Sequence, residues 1–317
     1  MKTCVLGPVF TSKYFGGVAT FTESIADAFK LEGHNVQIVT DFSEKHFTTH
    51  GVEIVAVFEK PSRKNPLMPW KIAQKVKSFY PDLIISSLEY GLANVISKYL
   101  NPSAAVLHFL HGLPLYEGRR MHNLSIGLIT NFIAKHSDAV IANSEFTAVL
   151  CEALSGLKSD AAMNVCVGYD YWEQLKRLNG LIEKKANTVL FVGRLVPEKN
   201  VDKLVRAFSA LSLDAELTII GDGPEKAGLQ RLAQTATRPI KFLGKVDPGE
   251  VVQYYLASDV FISLGPKESF GIVFLEALSA KAAGSEEAEP RLFTADEQKE
   301  FDKVKDGIAD IDQTLSR

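Results

Sequence analysis

The chain has 317 residues, enough for two domains of average size. Apolar residues make up 46% and charged residues 23%, an ordinary globular balance, and the formal net charge of −3 argues against a general nucleic-acid-binding protein. No apolar stretch reaches the roughly 18 residues of a membrane-spanning helix, and no long apolar signal sequence is evident, so we expect a cytoplasmic protein. Cys4, Cys151 and Cys166 lack metal-ligand spacing and are expected to be buried thiols.

The first half of the sequence alternates short apolar runs with amphipathic helical patterns. The apolar runs predict strands at 3–7, 37–40, 52–57, 82–86, 105–111 and 138–144. One helical pattern runs from the glycine pair at 16–17 to Gly33, and others occupy 69–80, 91–100, 122–136 and 144–154. This alternation is typical of βαβ units, so we expect a parallel sheet with helices on its faces.

The same alternation restarts at residue 188. Strands are predicted at 188–193, 215–221, 240–244 and 259–265, with helices near 200–212, 224–235, 249–257 and 271–280. These elements predict a second doubly wound α/β unit. The polar segment at 169–187 reads as a connection, which gives a first domain at 1–170, a linker at 171–187 and a second domain at 188–281.

The sequence changes character after Lys281. Residues 282–317 hold five basic and ten acidic residues, a net charge of −5, and begin with a linker rich in Gly, Ser, Glu and Pro. Thr294 and Glu297 have the spacing of a helix capping box. The apolar stripe that follows is Phe301, Val304, Ile308, Ile311 and Leu315. This pattern predicts a C-terminal amphipathic helix that needs a partner surface or self-association.

Two basic residues follow the strand predicted at 188–193. Arg194 and Lys199 fall in the loop to the next helix, and open α/β sheets bind ligands beyond the carboxyl ends of their strands. A cation pair at this point suits a diphosphate or a triphosphate. The alternative is a pair of solvated loop charges.

The segment "GPKESFGIVFLEALSAK" places two glutamates around a predicted helix start. Glu268 follows a strand, Gly271 stands near the start of the helix, and Glu276 lies one to two turns inside it. A helix amino terminus binds phosphate through its free N–H groups. A glutamate nearby can accept hydrogen bonds from ribose hydroxyls, whereas the alternative for Glu276 is a surface helix charge.

Weaker signals come from the first half of the chain. Gly16 and Gly17 open a helix and allow an anion to approach the backbone closely. His108 and His111 lie near the end of a predicted strand, where structural histidines are the alternative.

The ordered motifs "FVGRLVPEKNVDKLVRAF", "LTIIGDGPEKAGLQRLA", "IKFLGKVDPGEVVQYYLASDVFIS" and "ESFGIVFLEALSA" resemble glycosyltransferase family 4. These are retaining enzymes of the GT-B fold, in which two Rossmann-like domains face a cleft. The resemblance covers about residues 1–281. It implies a nucleoside-diphosphate sugar donor, a UDP-sugar or a GDP-sugar, and a saccharide or lipid-linked acceptor, with no metal or other cofactor.

The resemblance also assigns roles to individual residues. Arg194 and Lys199 match the pair that grips the diphosphate. Glu276 matches the glutamate that holds the ribose, Glu268 matches the one that contacts the transferred sugar, and His111 rather than His108 matches the histidine on the sugar. The other matched positions, close to the phosphates, are Gly16, Gly17, Phe270, Gly271, Ile272 and Val273.

The sequence departs from the family after Lys281. The family continues there with further strands and helices, whereas this chain has the acidic segment, so we expect an incomplete second domain with 259–265 at its edge. Two hypotheses follow. The motifs favour a retaining transferase, whereas the missing strands favour a non-catalytic remnant that binds nucleotide-sugar or acts as an interaction protein.

Five basic residues of the first domain bear on contact with a membrane. Arg63, Lys64, Lys71, Lys75 and Lys77 form a modest basic cluster that suits anionic lipid, with a solvated face as the alternative. Two aspartates with the D-x-D spacing of some metal-dependent transferases, Asp310 and Asp312, fall in the acidic tail and are read as solvated helix surface.

Overall fold

A computed structural model describes residues 1–12, 16–62, 64–112, 120–163, 167–210, 214–265 and 271–283. Several sequence predictions fall on residues outside these ranges. They are the roles of Glu268 and Phe270, the burial of Cys166, the place of Arg63 in the basic cluster, and the helical tail with its capping box.

The first sheet has seven parallel strands among the described residues. They are β1 (Lys2–Leu6), β2 (Asn35–Thr40), β3 (Glu53–Ala56), β4 (Leu83–Ser87), β5 (Ala105–Leu110), β6 (Ala139–Ala142) and β7 (Ala161–Ala162). Their spatial order is β3-β2-β1-β4-β5-β6-β7, and every neighbouring pair is parallel. The order reverses at β1, which places the ends of β1 and β4 at a topological switch point where such folds bind ligands.

The second sheet has four parallel strands among the described residues. They are β8 (Thr188–Val192), β9 (Glu216–Ile220), β10 (Ile240–Gly244) and β11 (Val260–Phe261), in the order β10-β9-β8-β11. The strand predicted at 259–265 lies at the edge of the described sheet, and only two of its residues pair. Its sole partner in the described sheet is β8, so ladder hydrogen bonds form on one side only.

Ten α-helices cover the two sheets in the described part of the chain. The first five are α1 (Gly17–Leu31), α2 (Met68–Phe79), α3 (Gly91–Leu100), α4 (Arg120–Lys135) and α5 (Glu145–Ser155). The others are α6 (Tyr169–Leu178), α7 (Val201–Ser209), α8 (Lys226–Ala233), α9 (Pro248–Ala257) and α10 (Ile272–Ala283). All the helices predicted within these ranges are confirmed, and α6 is an addition, because the polar segment at 169–187 was read as a connection.

Each sheet is buried on both faces by apolar side chains that alternate along its strands. In β1, Cys4 and Leu6 pack in the cluster that includes α2 and α3, whereas Val5 packs toward α1. In β8, Phe191 joins the cluster of α7 and α8, whereas Leu190 joins that of α6, α9 and α10. The two-fold alternation of strand side chains therefore gives each sheet two helical layers.

A glycine turn fixes the loop that carries Arg194. Gly221 has a φ of +141°, and a Cβ there would lie 1.8 Å from the Gly193 carbonyl oxygen. The Leu195 amide donates to the Asp222 carbonyl at 2.9 Å. Because only glycine tolerates this close approach, the "GDG" sequence after β9 acts as a support for the loop after β8.

Candidate donor-binding site

The candidate residues gather where the carboxyl ends of the two sheets meet. A Cβ added to Gly17, at the start of α1, would lie 3.8 Å from Cγ2 of Ile272, the first residue of α10. A second contact joins the same two regions, since Lys245 Nζ donates to the Ser12 carbonyl. The glycine loop of the first sheet and the start of α10 therefore meet, one on each wall of the space between the two sheets.

Arg194 and Lys199 lie together in the loop after β8. Arg194 is exposed, whereas Lys199 is half-buried at the end of a short 3-10 turn, Pro197–Lys199. Burial and, to a smaller extent, the Arg194 charge lower the pKa of Lys199 to about 8, while Glu198 acts in the opposite direction. A bound anion would relieve this repulsion, so the pair has the electrostatics of a phosphate site.

The loop of the cation pair is joined to the segment after β11. Asn200, which follows Lys199 directly, has a φ of +51° and donates from Nδ2 to the Leu264 carbonyl at 3.0 Å. This hydrogen bond links the phosphate-binding candidates to the segment that precedes Glu268 in the chain.

The start of α10 offers backbone donors to the cleft. Gly271 is buried with a φ of +71°, and its carbonyl accepts from the Phe274 amide at 2.8 Å. Ile272 and Val273 occupy the first turn, where helix N–H groups have no partner inside the helix. The positive φ explains the glycine, and the free amides with the helix dipole favour an anion.

Glu276 lies in the second turn of α10 and is held by two tyrosines. Tyr255 of α9 donates from its hydroxyl to Glu276 Oε2 at 2.9 Å, and Tyr171 of α6 donates to the Glu276 carbonyl at 2.6 Å. Burial raises the pKa of the Glu276 carboxyl to about 7, although the Tyr255 hydrogen bond opposes the shift. Near neutral pH the carboxyl therefore exchanges between a charged acceptor and a neutral acid.

A serine hydroxyl lies within hydrogen-bond distance of each histidine, His108 inside β5 and His111 directly after it. His108 Nδ1 lies 2.8 Å from Ser86 Oγ, and His111 Nε2 lies 3.0 Å from Ser87 Oγ. Burial lowers the pKa of His108 to about 4 and, together with the His108 charge, that of His111 to about 3. Both imidazoles are therefore neutral at physiological pH, and a neutral His111 can exchange hydrogen bonds with a sugar hydroxyl.

A cavity of about 270 Å³ adjoins His111 on the first-sheet side. Most of its lining is apolar, with polar groups from Glu89, His108, His111 and Thr130. Its apolar lining residues are Leu88, Phe109, Leu110, Ile126, Ile129 and Ile133. Leu88 has a φ of +54°, which is uncommon for a side chain of this size and is typical of functional sites.

Among the described candidates, the structure brings Gly17 and Ile272 into contact across the two domains. Arg194 and Lys199 lie in the loop after β8 of the second sheet, and His111 directly follows β5 of the first sheet. Sequence reasoning missed Tyr171 and Tyr255, because an aromatic residue on an amphipathic helix is usually a core residue. The clue available was Glu276 itself, since a carboxylate in an apolar helix requires a hydrogen-bond donor.

Comparisons with known proteins identify the family. A sequence profile described as Glycosyltransferase Family 4 matches residues 15–163, and one described as Glycosyl transferases group 1 matches residues 172–283. The GDP-mannose-dependent alpha-(1-6)-phosphatidylinositol dimannoside mannosyltransferase of Mycobacterium tuberculosis is 35% identical over 288 residues, 83% of this chain and 74% of the relative. The chain belongs to glycosyltransferase family 4. It is therefore a glycosyltransferase, as the sequence motifs predicted.

Two more distant matches cover a similar share of the chain. The Alpha-monoglucosyldiacylglycerol synthase of Acholeplasma laidlawii is 23% identical over 308 residues, 86% of this chain and 77% of the relative. The crystal structure of Anabaena Alr3699/HepE in complex with UDP and glucose has a TM-score of 0.67 at 20% identity, covering 88% of this chain and 78% of that one. The predicted GT-B fold of this family 4 chain is confirmed.

Two features of the described residues bear on partners. None of the described helices has both the length and the apolar character to cross a bilayer. Within the same residues, histidine, cysteine, aspartate and glutamate form no group of three that could hold a metal ion.

The raised pKa of Glu276 predicts a pH-dependent stability difference. A carboxyl whose folded pKa exceeds its unfolded value costs stability as pH rises from about 4.5 to about 7. Glu276→Gln removes this cost, so the free energy of unfolding of the variant relative to the wild type should increase between about pH 5 and pH 8. Urea denaturation of both proteins at several pH values measures this difference in the free energy of unfolding. A pH-independent difference for Glu276→Gln would contradict the burial of its charge.

Proposed function

We propose that the chain transfers a hexose from a UDP-sugar or a GDP-sugar to a sugar, lipid or cell-envelope acceptor, with retention of anomeric configuration. The observation that supports the proposal is the contact between the glycine loop and the amino end of α10, the helix that also carries Glu276. In this assignment Arg194 and Lys199 bind the diphosphate and Glu276 binds the ribose. Glu268 contacts the transferred sugar, and Gly16, Gly17 and the backbone from Phe270 to Val273 surround the phosphates.

The chemistry follows from where charge develops. Cleavage of the bond between the sugar and the diphosphate leaves the bonding electrons on the phosphate oxygen, so negative charge grows on the leaving group. Arg194, Lys199 and the first amides of α10 are fixed beside that position before the reaction starts, and preorganised donors of this kind lower the barrier. These groups supply the charge stabilisation, so we propose that transfer requires no metal ion.

The acceptor is proposed to enter from the first-sheet side. Neutral His111 lies beside the apolar cavity, which suits an acceptor hydroxyl attached to an apolar group. The names of two relatives, which specify diacylglycerol and phosphatidylinositol, support a lipid acceptor.

The function is tested by transfer from radiolabelled UDP-glucose and GDP-mannose to lipid extracts in the presence of EDTA. We expect transfer with one donor, and an α-linked product by NMR because both donors are α-linked. Arg194→Ala should weaken binding of the matching nucleoside diphosphate by roughly 1–3 kcal/mol, the scale of a lost charge-assisted hydrogen bond. Arg206→Ala, on the exposed face of α7, is the control.

The outcomes separate the parts of this proposal. Loss of transfer in EDTA, restored by a divalent cation, would contradict metal independence. A β-linked product would contradict retention. Donor binding without transfer to any acceptor would favour a binding protein over an enzyme. Equal losses of affinity for Arg194→Ala and Arg206→Ala would contradict the assignment of Arg194 to the diphosphate site.

The exposed face of α2 is the proposed contact with a membrane. Leu67 and Trp70 are 58% and 52% exposed, and Lys71, Lys75 and Lys77 are exposed on the same helix. The helix sequence contains three lysines and no acidic residue. Apolar side chains set among lysines suit the interface of an anionic bilayer, so this face would bring the enzyme to a lipid acceptor on the cytoplasmic side.

Removal of charge from α2 should weaken membrane binding. Lys75→Ala with Lys77→Ala should lower partitioning onto vesicles with anionic lipid roughly thirtyfold, since each lysine near such a surface contributes about 1 kcal/mol. Cosedimentation of the protein with the vesicles measures this partitioning. The matched control is Lys30→Ala with Lys203→Ala, two exposed lysines on α1 and α7. Equal effects of the two pairs, or no binding of the wild type, would exclude α2 as the membrane contact.

A further inference from the structure

The second turn of α10 is fastened from two directions. Tyr255 reaches the Glu276 side chain from α9, whereas Tyr171 reaches the Glu276 main chain from α6. The two rings lie edge to face with centroids 6.3 Å apart, and Tyr255 also contacts Phe261 of β11 at 5.6 Å. Tyr255 and Tyr171 are 6% and 7% exposed, so neighbouring side chains fix the position of both hydroxyls.

The two carboxylate oxygens of Glu276 differ in whether they accept a hydrogen bond. Oε2 accepts from Tyr255, whereas Oε1 receives no hydrogen bond from any described residue. Glu276 is half-buried rather than fully covered, so one oxygen is anchored and the other is available for a ligand. A side chain with three rotatable bonds is restricted by this anchor before any ligand arrives.

We propose that Tyr255 is a positioning residue for donor binding, whose hydroxyl orients the Glu276 carboxylate so that it accepts from the 2′- and 3′-hydroxyls of the donor ribose. This inference rests on the proposed function, because it assigns the ribose to Glu276. Tyr255 acts only through Glu276, whereas Tyr171 sets the position of the α10 backbone.

The charge state of Glu276 gives the proposal a pH signature. The titratable side chains coupled to Glu276 come from the two helices packed against α10, Tyr255 of α9 and Tyr171 of α6, and burial raises the pKa of both well above the neutral range. Both therefore remain neutral donors. The Tyr255 hydrogen bond favours the ionised carboxylate, so loss of this hydroxyl would move the ionisation of Glu276 to higher pH.

A pair of ligands that differ only in the ribose hydroxyls isolates the contact. Isothermal titration would give dissociation constants for UDP and 2′,3′-dideoxy-UDP, or the guanosine pair if GDP binds, between about pH 6 and pH 9. The quantity of interest is the ratio of the two constants. Titration of the ligand phosphates and of Lys199 affects both ligands alike and cancels in this ratio. The proteins are the wild type, Tyr255→Phe and the control Tyr254→Phe, a half-buried neighbour on the same helix.

In the wild type the preference for UDP over the dideoxy ligand should increase as pH rises through about 7. Tyr255→Phe should reduce this preference about tenfold, the effect of one hydrogen bond to a charged group, and should move its pH midpoint upward. Affinity for the dideoxy ligand should stay the same. Tyr254→Phe should leave both constants and the midpoint at their wild-type values.

Other outcomes overturn the proposal. Equal losses for both ligands, or an unchanged midpoint, would mean that Tyr255 only supports the fold. If thermal melting shows that Tyr255→Phe is not folded, the ligand preference of Glu276→Gln is measured instead. A pH-dependent preference for UDP that persists without the carboxylate also excludes the proposal. Absence of binding of both UDP and GDP to the wild type would instead reject the proposed function, and the inference with it.

Discussion

Attachment of helix α10 to the second sheet is the constraint on which the candidate site depends. The strand before this helix, β11, pairs over only two residues, so the sheet itself gives little support at that edge. Two buried tyrosine hydroxyls supply it instead, one to the carboxylate and one to the carbonyl of Glu276. The Tyr171 hydrogen bond to the main chain also fixes the first-turn amides of α10, because a helix moves as a rigid unit. In the proposed assignment, phosphate binding therefore depends on the packing of α6, and ribose binding depends on the Tyr255 contact from α9.

The two walls of the cleft differ in electrostatic character. On the second-sheet side, Arg194 and Lys199 stand close enough to lower the pKa of the lysine, so this wall favours an anion. On the first-sheet side, His111 is neutral and adjoins an apolar cavity. A charged leaving group on one wall and a hydroxyl acceptor on the other fit this division. The two walls meet where Gly17 faces Ile272.

Most of the fold could be predicted from the sequence, because strands buried on both faces are continuous apolar runs and helices show a single apolar stripe. The position of Arg194 and Lys199 was predictable for a related reason, since residues that follow parallel strands meet at one edge. Helix α6 was missed because half of its sequence, YDYWEQLKRL, is polar; among its described side chains Tyr171 and Leu175 are buried in the core and Leu178 packs against it. The tyrosine contacts could not be predicted, because they join residues 21 and 105 positions apart and depend on how helices α6, α9 and α10 pack.

The most direct test of this account compares nucleoside diphosphates with monophosphates. Calorimetric titration of the wild-type chain with UDP, UMP, GDP and GMP would isolate the contribution of the terminal phosphate, which Arg194, Lys199 and the amino end of α10 are assigned to bind. The account predicts that one diphosphate binds at least about tenfold more tightly than its monophosphate, the effect of one charge-assisted hydrogen bond. Equal affinity of both diphosphates and their monophosphates would contradict it.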